Sequence, residues 1–194
     1  MTDRRPVWGL VLAGGQSRRM GSDKALLEKG GRTQLARTVG LLERHLDRVF
    51  ISARADQAHD AERARFEQIS DRYEDLGPVA GILSAMDAYP AVDWLVAACD
   101  LPNADDRNVE ALLAAHAPDT PFTAFASSYN GLPEPLFAIY GADAAAMVAD
   151  FVADCIRCPR KMIIRSGVPL LRLPDRASLD YVNTPEDLAV SGAR

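Results

Sequence analysis

The sequence predicts an α/β fold: a single-domain, three-layer α/β/α arrangement with a mostly parallel sheet and an antiparallel strand. Short apolar runs that end in glycine or proline recur along the chain, and such runs are typical of buried strands. Stretches with apolar residues at helical spacing separate these runs, and strands that alternate with helices form a parallel sheet covered on both faces. The length of 194 residues suits one domain.

The first half of the chain begins with its clearest strand. Val7–Leu12 is apolar throughout and is followed by Ala13-Gly14-Gly15, as expected for a buried parallel strand. Apolar residues then recur every three or four positions over Gln34–Leu46, which predicts an amphipathic helix. Further predicted elements are a strand over Arg48–Ala53, a helix over Asp56–Phe66 and a short strand over Gln68–Ser70.

The second half continues the alternation of strands and helices. Gly77-Pro78 predicts a helix start, because proline is favoured in the first helical turn, and Trp94–Ala98 is a further buried strand. Thr184 and Pro185 have the features of the start of a last helix. The other predicted elements are a helix around Val109–Leu113, strands over Pro121–Ala126 and Leu136–Tyr140 on either side of an Asn130-Gly131 turn, a helix over Ala142–Asp154 and a late edge strand over Pro169–Leu173.

Composition and charge argue against several classes of protein. A net charge of −5 disfavours a general nucleic-acid binder, since such domains usually carry a basic surplus. Three cysteines cannot build a disulfide framework, and the C-x-x-C at Cys155 and Cys158 lacks the second ligand pair of a zinc site, so both are interpreted as ordinary helix-end cysteines. The N-terminus lacks signal-peptide features, and no apolar run reaches membrane-spanning length. We therefore expect a cytoplasmic protein with neither nucleic acid nor membrane as a partner.

The loop after the first strand carries the predicted chemistry. Residues 12–24 read L-A-G-G-Q-S-R-R-M-G-S-D-K and lie where ligand crevices of open α/β sheets form. Gly14 and Gly15 let backbone N–H groups approach a ligand closely, and Arg19 and Lys24 add positive charge. This density of donors predicts a loop that binds a nucleoside triphosphate. Its spacing fits neither a P-loop nor the G-x-G-x-x-G of dinucleotide-binding loops.

Residues 12–24 resemble the signature L-A-G-G-x-S-x-R-M-G-x-D-K of the nucleotidyltransferases that include molybdenum cofactor guanylyltransferase. Three later segments extend the resemblance: Asp71 with Leu76–Gly81 is similar to the family's D…GPLAG segment, Cys99–Pro102 to C-D-x-P, and Tyr181–Leu188 to V-N-T-P-E-[DE]-L. The resemblance implies a Rossmann-like nucleotidyltransferase fold. Its nucleotide-binding half would cover about residues 1–104 and its acceptor-binding half about residues 105–194.

The resemblance also gives roles to individual residues. Asp100 follows a buried strand, where a carboxylate can hold Mg²⁺ against phosphate oxygens or cap the next helix, and the resemblance favours the metal. Arg19 and Lys24 would neutralise charge that develops on the phosphates, so both are predicted to be catalytic together with Asp100. Arg18 occupies a variable family position and is interpreted as surface charge. The predicted nucleotide-binding residues are Leu12, Ala13, Gly14, Gly15, Lys24, Ser52, Asp71 and Asp100. The assignment of Leu12, Ala13, Gly14 and Asp71 rests on the resemblance alone, and Ser52 stands where the family more often has asparagine.

The acceptor half departs further from the family pattern. Glu134 stands where the family more often has histidine or glutamine, and an acid there would repel a phosphorylated acceptor unless an arginine pairs with it. Residues 155–165 carry four basic side chains, which suits such an acceptor. Asn183 is the predicted acceptor-binding residue, with a structural role in a turn as the open alternative.

The resemblance implies transfer of GMP from GTP to the phosphate of molybdopterin, with Mg²⁺ as cofactor and with release of pyrophosphate. An acceptor phosphate is already anionic, so positioning and charge neutralisation suffice and no catalytic triad is required. Gly14-Gly15 favours guanine, because cytidylyl relatives often read L-A-A-G there. The expected partners are GTP and molybdopterin, with transient contact to other molybdenum cofactor enzymes. Transfer from CTP, a sugar or polyol phosphate acceptor, and an inactive nucleotide-binding regulatory or delivery protein remain open alternatives.

Overall fold

A six-stranded sheet lies at the centre of the residues that the computed structural model describes, which are 5–14, 23–57 and 59–180. Its strands are β1 (Val7–Leu12), β4 (Val49–Ala53), β5 (Gln68–Ser70), β6 (Asp93–Ala98), β7 (Phe122–Ala126) and β8 (Pro133–Tyr140), and a separate hairpin pairs β2 (Glu28–Lys29) with β3 (Arg32–Thr33). The strand order is β5-β4-β1-β6-β8-β7, in which the first four are parallel and β8 is antiparallel to β6 and to β7. The predicted α/β class, with a mostly parallel sheet and an antiparallel strand, is confirmed.

Helices cover both faces of this sheet, and the local sequence sets where several of them begin. Thr33 Oγ1 accepts a hydrogen bond from the backbone N–H of Ala36, which caps the first helix. Asp105 and Asn108 form a reciprocal capping box at the third. The helices of the described residues are α1 (Gln34–Leu42), α2 (Pro78–Ala88), α3 (Asp106–Ala115), α4 (Ala144–Ala153) and α5 (Pro159–Ser166).

The core consists of one apolar layer on each face of the sheet. Successive strand residues point to opposite faces, so Leu10 packs in the layer with α2 and α4, whereas Val11 packs in the layer with α1 and α3. Trp94 and Leu95 of β6 alternate in the same way, and all four side chains are fully buried. The two layers hold the carboxyl ends of β1, β4 and β6 together at one edge of the sheet.

The helix predicted over Asp56–Phe66 is wrong. The chain forms turns here and a single turn of 3₁₀ helix over Arg63–Arg65. Asp60 Oδ1 accepts hydrogen bonds from the backbone N–H groups of Glu62 and Arg63, and such local bonds compete with a regular helix.

Other element boundaries also differ from the prediction. α1 ends at Leu42 rather than Leu46, and Leu46 is nonetheless buried, so its apolar spacing reflects core packing from a turn. The expected edge strand over Pro169–Leu173 reduces to a single parallel bridge between Leu171 and Phe125. Neither α5 nor the β2–β3 hairpin was predicted, because both are short.

Three predictions are not tested by the described residues. The helix start at Thr184 lies outside the described residues. Within the described ranges no helix combines the length and apolarity needed to cross a membrane. The cytoplasmic location and the division of the chain at about residue 104 stay predictions.

Candidate active site

The carboxyl ends of β1, β4 and β6 border a cavity of about 740 Å³. The parallel register places Leu12 beside Ser52 on one side and beside Ala98 on the other. Among the predicted nucleotide-binding residues, Leu12, Gly14, Ser52 and Asp71 line this cavity. A crevice at the carboxyl ends of parallel strands is where open α/β sheets bind ligands.

Lys24 and Asp100 lie together at this edge, although 76 positions separate them in the sequence (100 − 24). Lys24 Nζ is 3.7 Å from Asp100 Oδ2, and both side chains are about a quarter exposed. Burial raises the pKa of the Asp100 carboxyl, and the Lys24 ammonium partly offsets this rise. Asp100 Oδ1 is buried and has no hydrogen-bond partner among the described residues.

The chemistry around Asp100 fits a divalent cation. A buried carboxylate oxygen without a hydrogen bond costs free energy until a cation or another donor reaches it, and Mg²⁺ prefers such hard oxygen ligands. The described ranges contain no group of three or more His, Cys, Asp or Glu side chains that could enclose a metal. Asp100 would therefore share the ion with phosphate oxygens of a ligand and with water, as is usual for Mg²⁺.

Arg63 fixes both ends of the segment between β1 and the 3₁₀ helix Lys24–Leu26. Its side chain is almost fully buried, and its Nη2 donates to the Ala13 carbonyl oxygen at 2.7 Å and to Asp23 Oδ2 at 2.6 Å. Asp23 in turn caps the 3₁₀ helix by accepting a hydrogen bond from the Ala25 backbone N–H. Arg63 was not among the predicted functional residues, because it lies in a charged stretch that predicts a helix.

Ser52 and Asp71 form a polar pair beneath the cavity. Ser52 Oγ donates to Asp71 Oδ1 at 2.5 Å, and Ser52 is almost fully buried. Burial raises the pKa of Asp71, and the Ser52 hydroxyl opposes this rise. Asp71 Oδ2 lies 3.0 Å from a Cβ built on Gly14, so the glycine leaves this oxygen accessible from the cavity. The Ser52 hydroxyl thus points to Asp71.

In the half of the chain predicted to bind the acceptor, Glu134 has an arginine partner. Glu134 is buried, and Arg160 of α5 lies 3.5 Å from its Oε2 while donating from Nε to the Pro133 carbonyl at 2.9 Å. Cys155 and Cys158 are both exposed free thiols at the start of this basic segment.

Gly15, Arg18, Arg19 and Asn183 lie outside the described residues. The predicted roles of Gly15, Arg19 and Asn183 therefore stay predictions.

The chain is similar to known nucleotidyltransferases over most of its length. Residues 9–168 match the family described as MobA-like NTP transferase domain. A probable molybdenum cofactor guanylyltransferase from Mycobacterium avium is 32% identical over an alignment that covers 100% of both chains. The molybdenum cofactor biosynthesis bifunctional protein of Synechocystis is 35% identical over 94% of this chain, which spans about half (52%) of that longer relative.

A solved structure has the same fold. Molybdopterin-guanine dinucleotide biosynthesis protein A from Archaeoglobus fulgidus superposes with a TM-score of 0.74, covering 94% of this chain and 95% of that one. The sequence identity is 24%, so the similarity is one of fold.

Proposed function

Because the chain belongs to the MobA-like NTP transferase family, we propose that it transfers GMP from GTP to the phosphate of molybdopterin and releases pyrophosphate. The observation that carries this proposal is the approach of Lys24 to Asp100 within 3.7 Å. The pair lies at the same edge of the sheet as the cavity of about 740 Å³ lined by Ser52 and Asp71, which we call the nucleotide cavity. A cation and a carboxylate at one point suit a triphosphate with its metal. The cation neutralises phosphate charge, and the carboxylate can bind the metal ion that the phosphates also bind.

Asp71 supports guanine as the base. Its Oδ1 is occupied by Ser52, and its Oδ2 accepts no hydrogen bond from the described residues. A carboxylate oxygen accepts well from the adjacent N–H and NH₂ donors of guanine, whereas cytosine offers a single amino group on its pairing edge. Gly14 leaves room for this contact, since an added methyl group would come within 3.0 Å of Asp71 Oδ2.

The transfer itself requires positioning and charge neutralisation rather than a nucleophilic side chain. An oxygen of the acceptor phosphate forms the new bond to the α-phosphorus, the bond to the bridging oxygen breaks, and pyrophosphate leaves with that electron pair. Asp100 would hold Mg²⁺, which supplies positive charge to the phosphate oxygens when bound. Lys24 adds a fixed positive charge beside it. Arg63 donates hydrogen bonds to the Ala13 carbonyl and to Asp23, and these bonds keep in place both ends of the predicted triphosphate-binding loop, which we call the phosphate loop.

Thermal-shift measurements with GTP, CTP, ATP and UTP, each with Mg²⁺, test the nucleotide. Ligand binding raises the melting temperature by mass action, so GTP should produce the largest shift. A larger shift with CTP would overturn the guanylyl assignment and favour a cytidylyl enzyme with the same fold.

A transfer assay that follows pyrophosphate release tests the reaction. Asp100→Ala should abolish release and remove the effect of Mg²⁺ on GTP binding, and Lys24→Ala should lower the rate by at least about a hundredfold. Exposed Arg172, which does not line the nucleotide cavity, provides a control in Arg172→Ala. Full activity in Asp100→Ala would rule out the metal role. A wild-type protein that binds GTP but releases no pyrophosphate with any phosphorylated acceptor would favour the regulatory or delivery alternative.

A further inference from the structure

A second cavity lies across the sheet edge from the nucleotide cavity, and we call it the arginine cavity. Its volume is about 280 Å³. Ala98 borders both cavities, whereas the consecutive β8 residues Leu136 and Phe137 face the nucleotide cavity and the arginine cavity respectively. Leu101 and Pro102, which follow Asp100, complete the wall near the candidate metal site. The arginine cavity is therefore a separate space beside the predicted catalytic residues.

The wall of the arginine cavity is strongly basic. It contains Arg32, Arg37 and Arg44, and none of its lining residues is acidic. Arg44 pairs with Asp106 at 2.8 Å, and Arg32 donates to the Ala36 carbonyl at 3.3 Å. Arg37 makes no hydrogen bond or ion pair within the described part of the chain. Two of the three guanidinium groups thus have no carboxylate to neutralise them in that part of the structure.

Gln34 is an independent sign that the cavity takes a ligand. The residue is only 3% exposed, and it lies in the cavity wall at the start of α1. Its backbone is satisfied, since its N–H donates to the Leu27 carbonyl and its carbonyl accepts from Thr38 Oγ1. Its side-chain amide has no hydrogen-bond partner among the described residues. Because the amide lies in the cavity wall, it can hydrogen-bond to a ligand in the cavity.

We propose that the arginine cavity is a second anion site, separate from the nucleotide site, that binds a phosphate group as orthophosphate or pyrophosphate. Guanidinium groups match the paired oxygens of phosphate, and the Gln34 amide adds a neutral donor. A volume of about 280 Å³ lies just below the range of drug-sized ligands, which suits a small inorganic anion rather than a nucleotide.

Titration calorimetry on the full chain in EDTA, with orthophosphate and with pyrophosphate, tests this site without nucleotide or metal. Arg37→Gln should weaken binding at least about tenfold, because one charge-assisted hydrogen bond is lost. Gln34→Leu should also weaken it. Arg172→Gln, which removes the same charge from an exposed site outside both cavities, should leave the affinity unchanged.

The variant Lys24→Met distinguishes anion binding in the arginine cavity from anion binding at the nucleotide site. Anion binding that persists in Lys24→Met and is lost in Arg37→Gln supports the proposal. Tighter binding of pyrophosphate than of orthophosphate would identify the pyrophosphate released by the reaction as the anion that occupies the arginine cavity. Equal affinity in wild type and Arg37→Gln, or loss in Lys24→Met alone, would overturn it. Neither result depends on whether the protein transfers GMP. Melting curves of both variants verify that they are folded.

Discussion

At the scale of the residue, Gly81 shows how closely α2 approaches the floor of the nucleotide cavity. A Cβ at this position would lie 2.1 Å from Ser52 Oγ and 2.8 Å from Ser52 Cβ. Ser52 cannot move aside freely, because it is almost fully buried and bonded to Asp71. Only glycine at this position lets α2 pack against Ser52 while Ser52 keeps its hydrogen bond to Asp71.

Gly81→Ala should therefore destabilise the protein by about 1–3 kcal/mol, the usual cost of overpacking, and should also weaken nucleotide binding by displacing Ser52 from Asp71. Urea denaturation and thermal shifts with GTP measure the two effects. The double variant Gly81→Ala/Ser52→Gly removes both close contacts and should recover most of the stability without the nucleotide affinity. An unchanged stability in the single variant would contradict the packing at this point.

Asp100 gives a prediction about pH. Burial favours its protonated form, so the folded protein binds this proton more tightly than the unfolded chain does. The resulting contribution to stability is present below the ordinary pKa and is lost as the pH rises through the raised value. Asp100→Asn should thus be at least as stable as wild type at neutral pH in EDTA, while its stability changes less between acid and neutral pH.

Metal binding at Asp100 should follow the opposite course. Mg²⁺ requires the carboxylate, so Mg²⁺-dependent GTP binding should decline as the pH falls through the raised pKa, above the ordinary value of about 3.9. Calorimetric titrations over this pH range provide the measurement. A decline that sets in only below the ordinary value, or Mg²⁺-dependent binding that survives in Asp100→Asn, would argue against this assignment.

At the scale of the element, Arg63 connects three segments that are separated in the sequence. It joins the end of β1 at Ala13, the cap of the 3₁₀ helix at Asp23 and the irregular stretch in which it lies, where its Nη1 is 3.6 Å from Asp60 Oδ1. The stretch is irregular where a helix was predicted, and this allows the guanidinium group to enter the interior.

Arg63→Met should cost about 3 kcal/mol or more, because it leaves the Asp23 carboxylate and the Ala13 carbonyl without their donor in a partly buried place. Chemical denaturation gives the loss, and GTP affinity should fall with it because the phosphate loop loses its anchor. Asp23→Asn is the milder change: its single amide oxygen keeps the bond from the Ala25 N–H and loses the bond from Arg63, which uses the other oxygen. The Ala13 carbonyl keeps its donor, so the loss of stability should be smaller. A larger loss in Asp23→Asn than in Arg63→Met would contradict this view.

At the scale of the whole molecule, a buried polar network fastens the start of β6 to the neighbouring segments. Asp93 Oδ2 lies 3.0 Å from His116 Nε2, and Asp93 Oδ1 accepts from the Ala142 backbone N–H at 2.8 Å. The other His116 ring nitrogen is 3.0 Å from Thr123 Oγ1 of β7. The network thus connects β6, the end of α3, β7 and the turn before α4.

Asp93 should make the molecule sensitive to acid. Burial alone would raise its pKa, but the hydrogen bonds from His116 and Ala142 outweigh that effect and lower it. A lowered pKa means stability that is present above the ordinary value and lost as the pH falls below about 4. Asp93→Asn should lose on the order of 1.5–3 kcal/mol at neutral pH, and its deficit should shrink in acid. Unfolding curves between pH 3 and 7 measure this, and parallel profiles for the two proteins would count against it.

Much of this protein could be read from local sequence. Apolar runs predicted β1, which is followed by glycines, and β6, which is followed by Cys99–Pro102, because buried parallel strands require apolar residues. The α/β class followed from the alternation of such runs with helices. The loop over residues 12–24 predicted the family, and the match of residues 9–168 to the MobA-like NTP transferase domain confirmed it. Short elements with mixed composition, such as α5 and the β2–β3 hairpin, carry too little periodicity for this kind of inference.

Tertiary structure decided how distant side chains meet. The sequence predicted that Lys24 and Asp100 act at one site, and the parallel order of β1 and β6 is what brings them to one edge. The sequence did not indicate that Arg63 is buried or which arginine pairs with Glu134, because both Arg63 and Arg160 lie in charged stretches. The physical reason is that periodicity reports which face of an element is apolar, whereas the partner of a buried charge depends on how elements far apart in the chain pack together.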